Sequence, residues 1–167
     1  RVLKPGQPGE MIRTTMVKII DGEKQEPVLI DESVTKEPIS ELVLRGAAMP
    51  VSALDFGIEL DASGVPVEYK KLLTNQISTG YSAGKGAYGA SRMNLYAGYV
   101  AVRADEIPYG TRMYITSADN KFVYGFAIAA DTGIALMDNV IDIDLFYETY
   151  IESCLNGRKY LNVYILD

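Results

Sequence analysis

Short runs rich in β-branched and aromatic residues, punctuated by Gly, Pro, Asn and Asp, recur along the chain and predict strands rather than long helices. Glu10–Ile20 is rich in Thr, Val, Ile and Met and predicts a strand. Asp21-Gly22 follows, a dipeptide that suits a type I′ hairpin turn because both residues tolerate positive φ, with a return strand at Pro27–Val34. Thr35–Ile39 reads as extended, since Pro38 biases the residue before it away from helix. Glu41–Leu44 predicts a last strand, ending at Arg45-Gly46. Strands of this kind make a thin sheet with little core, marginal without a partner. Residues 1–48 are thus expected to form a small β-sheet module.

Residues 49–74 carry no strong period. Met49-Pro50 and Ser63-Gly64 break the chain, and Val51–Leu60 suits either a short helix or irregular structure. This stretch is expected to be a connecting segment. From residue 75 to 167 the pattern is that of a barrel of short strands: Gln76–Ser82, then a Gly-, Ser- and Ala-rich loop over Ala83–Ser91, then Gly98–Arg103, Arg112–Thr116 and Phe122–Ala129. The last of these is apolar on both faces, as a strand buried between layers is. Val140–Leu145 follows, with Asp142 and Asp144 at alternate positions and so on one face. One short helix is expected within Phe146–Leu155, stopped by Asn156-Gly157, and Tyr160–Leu166 closes the set. The fold class expected is mainly β.

The composition, 48% hydrophobic and 23% charged over 167 residues, is that of a folded domain pair rather than a disordered chain. Sixteen Lys and Arg against 22 Asp and Glu give a net charge of −6, which argues against gripping a nucleic-acid backbone. No apolar run approaches the roughly 20 residues of a membrane-spanning helix. The absence of His removes Ser-His-Asp and Cys-His catalysis and the commonest zinc ligand. With Cys154 alone there is no intrachain disulfide; in the expected helix it reads as a small buried hydrophobe. Hydrolytic or eliminative chemistry must then rest on carboxylates, hydroxyls or amines. The sequence opens on Arg1, so the lack of a leader says nothing about export.

Asp131 ends the long buried strand, in Ala130-Asp131-Thr132-Gly133. A carboxyl there is poorly solvated, which favours its protonated form. If the strand carrying Asp142 and Asp144 joins the same barrel, two or three carboxylates converge and push one pKa up, as acid–base work on a glycosidic bond requires. The plainer reading is that Asp131 caps a turn while Asp142 and Asp144 face water. The loop from Tyr81 to Tyr96, with three Tyr and several Gly, suits either a sugar groove or an exposed flexible loop.

Thr79-Gly80-Tyr81-Ser82, Val100-Ala101-Val102, Ile107-Pro108-Tyr109-Gly110-Thr111, Ala127–Gly133, Ile143–Tyr150 and Asn162–Leu166 together resemble the three-aspartate (3D) domain of Gram-positive cell-wall proteins. Gly6, Gly9-Glu10, Asp21-Gly22, Glu32–Ile39 and Gly46 resemble part of a five-glycine (G5) wall-associated domain, a pairing similar to resuscitation-promoting-factor-like proteins. The resemblance implies a six-stranded double-psi β-barrel related to the membrane-bound lytic transglycosylase A family. It further implies cleavage of the MurNAc–GlcNAc bond of peptidoglycan, with one Asp acting as acid and then as base to leave a 1,6-anhydro end. Carried over by position, the middle Asp is Asp131. The catalytic one is Asp144 by the residues downstream of it, or Asp142 by spacing. Thr79, Tyr81, Arg103, Asp105, Thr132 and Gly133 fall at substrate-binding positions. Arg103 stands where the family has its first Asp, with Asp105 two residues on, and Gly133–Asp138 replaces a Gly-rich stretch. A guanidinium beside a catalytic Asp lowers its pKa, so a non-catalytic glycan-binding module and a carboxylate-dependent hydrolase stand as alternatives. The expected partner is the peptidoglycan glycan strand at the cell surface, with no cofactor, metal, nucleic acid or membrane insertion.

Overall fold

Asp21 and Gly22 sit at φ 50° and 85°, the left-handed geometry of a type I′ turn, and the chain reverses there as expected. The structure, a computed structural model, describes residues 2–43 and 49–167; the predicted strand end at Leu44 and the Arg45-Gly46 turn lie outside the described residues. The chain divides into two units, Arg1–Gly46 and Ala47–Asp167.

The first unit holds β1 (Val2–Lys4), β2 (Glu10–Met16), β3 (Ile19–Ile20), β4 (Glu23–Lys24), β5 (Val28–Lys36) and β6 (Leu42–Val43). They pair as three two-stranded antiparallel ladders, β1–β6, β2–β5 and β3–β4. The strand expected at Glu10–Ile20 is divided at Val17-Lys18, where the Lys18 carbonyl accepts from Gln25 N–H at 2.8 Å. Gln7 and Ile39 exchange backbone bonds of 2.8 and 2.9 Å, which keeps the Pro38 segment extended. Every residue from Lys4 to Glu41 is exposed. Among the described residues, ladder hydrogen bonds rather than a core define this unit, in keeping with the thin sheet expected.

The second unit is a closed barrel of β7 (Lys71–Tyr81), β8 (Tyr99–Ala101), β9 (Arg112–Thr116), β10 (Val123–Asp131), β11 (Ile143–Phe146) and β12 (Lys159–Ile165), with helices α1 (Ile134–Met137) and α2 (Tyr150–Asn156). The strand order is β10-β8-β11-β7-β12-β9. β7 runs parallel to β11 and β8 to β10, and the other neighbours are antiparallel. Two parallel pairs interlocked in one closed sheet give the double-psi topology. Val100, Met113, Ile115, Tyr124, Ala127, Leu145 and Val163 fill the interior. Residues 49–70 form an irregular strap rather than a helix: Val51 and Ser52 N–H bond the Val123 and Tyr124 carbonyls at 3.2 and 2.8 Å. Leu54, Phe56, Ile58 and Val65 pack on Tyr114, Phe126 and Tyr164 as a second apolar layer.

Several boundaries differ from expectation for identifiable reasons. β7 begins at Lys71 because Asn75, at φ 59°, carries the strand through an irregularity opposite Asn162. β11 begins only at Ile143, since Val140 and Ile141 N–H turn back to the Ala135 carbonyl. That turn closes α1, a one-turn helix additional to the single helix expected. Phe146 stays in the barrel and α2 starts later, where Thr149 and Glu152 form a reciprocal capping box. Gly157 at φ 60° ends it. Cys154 is exposed rather than buried: α2 turns Ser153 and Asn156 inward instead, with Asn156 Oδ1 accepting from the Tyr147 hydroxyl at 2.8 Å.

One buried hydroxyl ties three strands together. Tyr124 of β10 is fully buried. Its hydroxyl donates to the Phe146 carbonyl at 2.7 Å, with the Tyr99 carbonyl at 3.1 Å, and accepts from Gly98 N–H at 3.1 Å. It clasps the start of β8 to the end of β11.

Candidate active site

Four barrel strands bring the candidate residues into one row. Ala101 of β8 pairs with Asp131 of β10 on one side and with Asp144 of β11 on the other, and Asp144 pairs in turn with Thr79 of β7. Directly paired residues point to the same face of a sheet, so Asp131, Ala101, Asp144 and Thr79 share one face. Two strand spacings put the Asp131 and Asp144 backbones about 10 Å apart, with Ala101 on the strand between them. The row depends on a bulge: β10 pairs Ala129 with Val100 but Asp131 with Ala101, leaving Ala130 as the extra residue. In an unbroken register Ala130 would take the place of Asp131. A bulge of this kind re-aims a side chain.

Burial holds the Asp144 carboxyl above the usual carboxylate range. The Thr79 hydroxyl, donating to Oδ1 at 2.8 Å, and the Leu145 amide oppose that rise, and the charge of Asp131 adds to it. Asp131 is held at both oxygens: the Tyr81 hydroxyl donates to Oδ2 at 3.0 Å and Ala90 N–H to Oδ1 at 2.8 Å. Burial, then the charge of Asp131 and its hydrogen bond, then the charge of Asp144, push the Tyr81 phenol far up. It therefore stays protonated as a donor. On this face Ala101 packs with Leu136 of α1, Ile141, Ile77 and Tyr81. At the start of β8 the Tyr96 and Tyr99 hydroxyls meet at 3.0 Å, and burial followed by that bond pushes Tyr99 up to about 12.

The remaining candidates lie elsewhere. Asp142 does not share the face of Asp144, because it precedes the strand. Its N–H donates to the Ile77 carbonyl and its Oδ2 accepts from Ile77 N–H, both at 2.8 Å, so its carboxylate is committed to the β7 backbone. Arg103 is ion-paired with Glu106, and that bond raises its pKa, with the charges of Asp105 and Asp142 contributing further. The guanidinium expected to depress a catalytic Asp thus answers to these three acids, while Asp144 sits above its ordinary value. Asp105 is exposed in the turn after β8, where the Arg103 carbonyl accepts from Glu106 and Ile107 N–H at 3.1 and 2.9 Å; it is not on a strand face beside Asp131. Thr132 and Gly133 are half-buried between Asp131 and α1, and the Gly133 carbonyl accepts the first bonds of that turn. Ala90 and Ala101 were not singled out in the sequence. One contributes a backbone N–H and the other an absence of bulk; the small residues Gly89 and Ser91 beside Ala90 were a hint, and Ala101, between Val100 and Val102, offered none. Among the described residues, no group of three or more Asp, Glu or Cys is placed to hold a metal, and no helix is long and apolar enough to cross a membrane.

Residues 98–167 match the family model of the 3D domain, and residues 1–48 that of the G5 domain. A stretch like a G5 domain followed by one like a 3D domain points to a cell-wall-associated protein. Among solved structures, MltA from E. coli aligns at 21% identity and a TM-score of 0.41, over 49% of this chain and 28% of that one. No curated protein matches the sequence.

Proposed function

We propose that the barrel is a lytic transglycosylase acting on the MurNAc–GlcNAc bond of peptidoglycan, with Asp144 as the general acid and then the general base. The observation that carries this reading is a half-buried carboxyl, Asp144, held toward its protonated form beside a second carboxylate across Ala101. Asp144 gives its proton to the glycosidic oxygen as the C1–O bond breaks. The cationic sugar that develops is stabilised by Asp131, whose position Tyr81 fixes. Asp144, now a carboxylate, takes the proton of the muramyl 6-hydroxyl as that oxygen bonds C1. The proton inventory closes on one residue, which suits a chain without His. The commitment of Asp142 to Ile77 favours Asp144 over it. Thr79 orients the acid, and Thr132 and Gly133 border the glycan groove. The exposed G5 unit serves as a spacer or wall-adhesion element at the cell surface.

Mass spectrometry of digested peptidoglycan tests the reading. Anhydro-muropeptides are expected from the wild-type chain, and Asp144→Asn is expected to lower turnover by roughly 10²–10⁴-fold with the barrel still folded; Asp131→Asn is expected to fall as well. Reducing ends would mean hydrolysis, and binding without cleavage would mean a glycan-binding module. Full activity in both variants would place the site elsewhere.

A further inference from the structure

One donor to Asp131 comes from a loop, not from the barrel. Ala90 lies between β7 and β8, and its N–H reaches Asp131 Oδ1 at 2.8 Å. The next residue completes a second attachment: Ser91 N–H donates to the Ala130 carbonyl at 3.0 Å. Ala130 is the bulged residue, whose place in the ladder is irregular, so the loop supplies the partner that a bulge otherwise lacks. Within the loop, Gly89 N–H bonds the Met93 carbonyl and Arg92 N–H bonds the Gly89 carbonyl, each at 2.9 Å. This attachment needs close approach. A Cβ on Gly89 would stand 2.4 Å from the Ala130 oxygen, inside any tolerable contact with backbone, and a tight 3.1 Å from Asp131 Cβ. Gly84, in the same loop, meets nothing within 4 Å.

Building on the proposed function, we infer that Gly89 is a positioning residue for the reaction: its bare backbone lets the loop seat Ala90 N–H on Asp131 and the Ser91 amide on the bulge, fixing that carboxylate opposite Asp144. Gly89 touches no substrate. It acts through Ala90 and the bulge, and any side chain at 89 lifts both amides away from β10. Its neighbour Gly84 has no such duty, although composition alone does not separate the two.

Gly89→Ala and Gly84→Ala are compared in the full chain, with thermal melts to confirm folding and Ala90→Pro as a second variant that removes the N–H while keeping Gly89. NMR follows the Ala90 amide through a pH titration without substrate, and muropeptide release gives kcat and KM. In the wild type the Ala90 amide should shift with pH, and this response should vanish in Asp131→Asn and in Gly89→Ala. Misplacement of a reacting group by about 1 Å lowers rates by roughly 10²-fold. Gly89→Ala and Ala90→Pro should therefore lose kcat on that scale with KM little changed, and Gly84→Ala should match the wild type. A wild-type Ala90 amide indifferent to pH, or a folded Gly89→Ala with wild-type kcat, overturns the inference. A wild-type chain that leaves peptidoglycan uncut sinks the proposed function instead, and the substrate-free amide titration then decides by itself whether the loop holds Asp131.

Discussion

Replacing Tyr124 by Phe removes one oxygen from the middle of the barrel and leaves the ring in place. The edge-to-face contact with Tyr147, at 6.0 Å between centroids, survives. What is lost is the clasp: the Phe146 carbonyl loses a donor at 2.7 Å and Gly98 N–H loses an acceptor at 3.1 Å, both in buried surroundings. A buried polar group left without a partner costs about 1–3 kcal/mol. Two such groups, taken toward the lower half of that range, give a loss of about 2–4 kcal/mol. For a unit of this size roughly 4 °C of melting temperature goes with each kcal/mol, so the drop should be about 8–16 °C. Urea unfolding of the wild type and the variant, with an unchanged slope, measures it. A loss below about 0.5 kcal/mol would refute the reasoning, because it would mean that the two orphaned groups find water or each other and that the hydroxyl does not join β8 to β11.

Asp144→Asn should stabilise the barrel at neutral pH relative to the wild type. A carboxyl whose folded pKa lies above its unfolded value contributes stability that is full below the unfolded pKa and is lost as pH rises through the folded one. Melting temperatures of the two proteins should therefore diverge from about pH 4 upward in favour of the variant; parallel curves would contradict the burial of Asp144. Thr149→Ala removes the side-chain half of the α2 capping box, where Thr149 Oγ1 accepts from Glu152 N–H at 3.2 Å and donates to Glu152 Oε2 at 2.7 Å, and leaves the backbone half, Thr149 N–H to Glu152 Oε2 at 3.0 Å. It should lower stability by about 1 kcal/mol, and no change in urea midpoint would show the helix to be held by its packing alone.

What could be read in the residues was local. β9 runs over Arg112–Thr116 as expected, and the Asp21-Gly22 reversal follows from two residues that accept positive φ. The barrel itself was legible through a resemblance, whereas the placement of its carboxylates was not. A bulge is decided by the partner strand, so nothing in Ala129-Ala130-Asp131 announces that Ala130 is the extra residue or that Asp131 therefore faces Ala101. A strict period of two put Asp142 and Asp144 on one face, but the strand starts at Ile143, and a carboxylate one residue outside it is free to cap Ile77. Cys154 misled for a different reason. The inner side of α2 answers to the Tyr147 hydroxyl, which needs an acceptor, and to Gly80, where a Cβ would stand 3.0 Å from the Ser153 carbonyl oxygen and 3.2 Å from Asn156 Cβ. Polar residues satisfy those demands better than a thiol.

Because the apolar side chains of the leading ribbon stay about half exposed, from 37% at Ile39 to 65% at Ile19, the ribbon has a smaller hydration change to report when it melts than the barrel, whose core is fully buried. Heat capacity of unfolding tracks the apolar area newly wetted, and here that increment is small beside the barrel's. A calorimeter should accordingly register one sharp endotherm, from the barrel, over a ribbon that loosens gradually without a peak of its own. Substitutions among its outward side chains should leave that endotherm untouched, which frees this stretch of sequence to vary with whatever it meets outside the molecule.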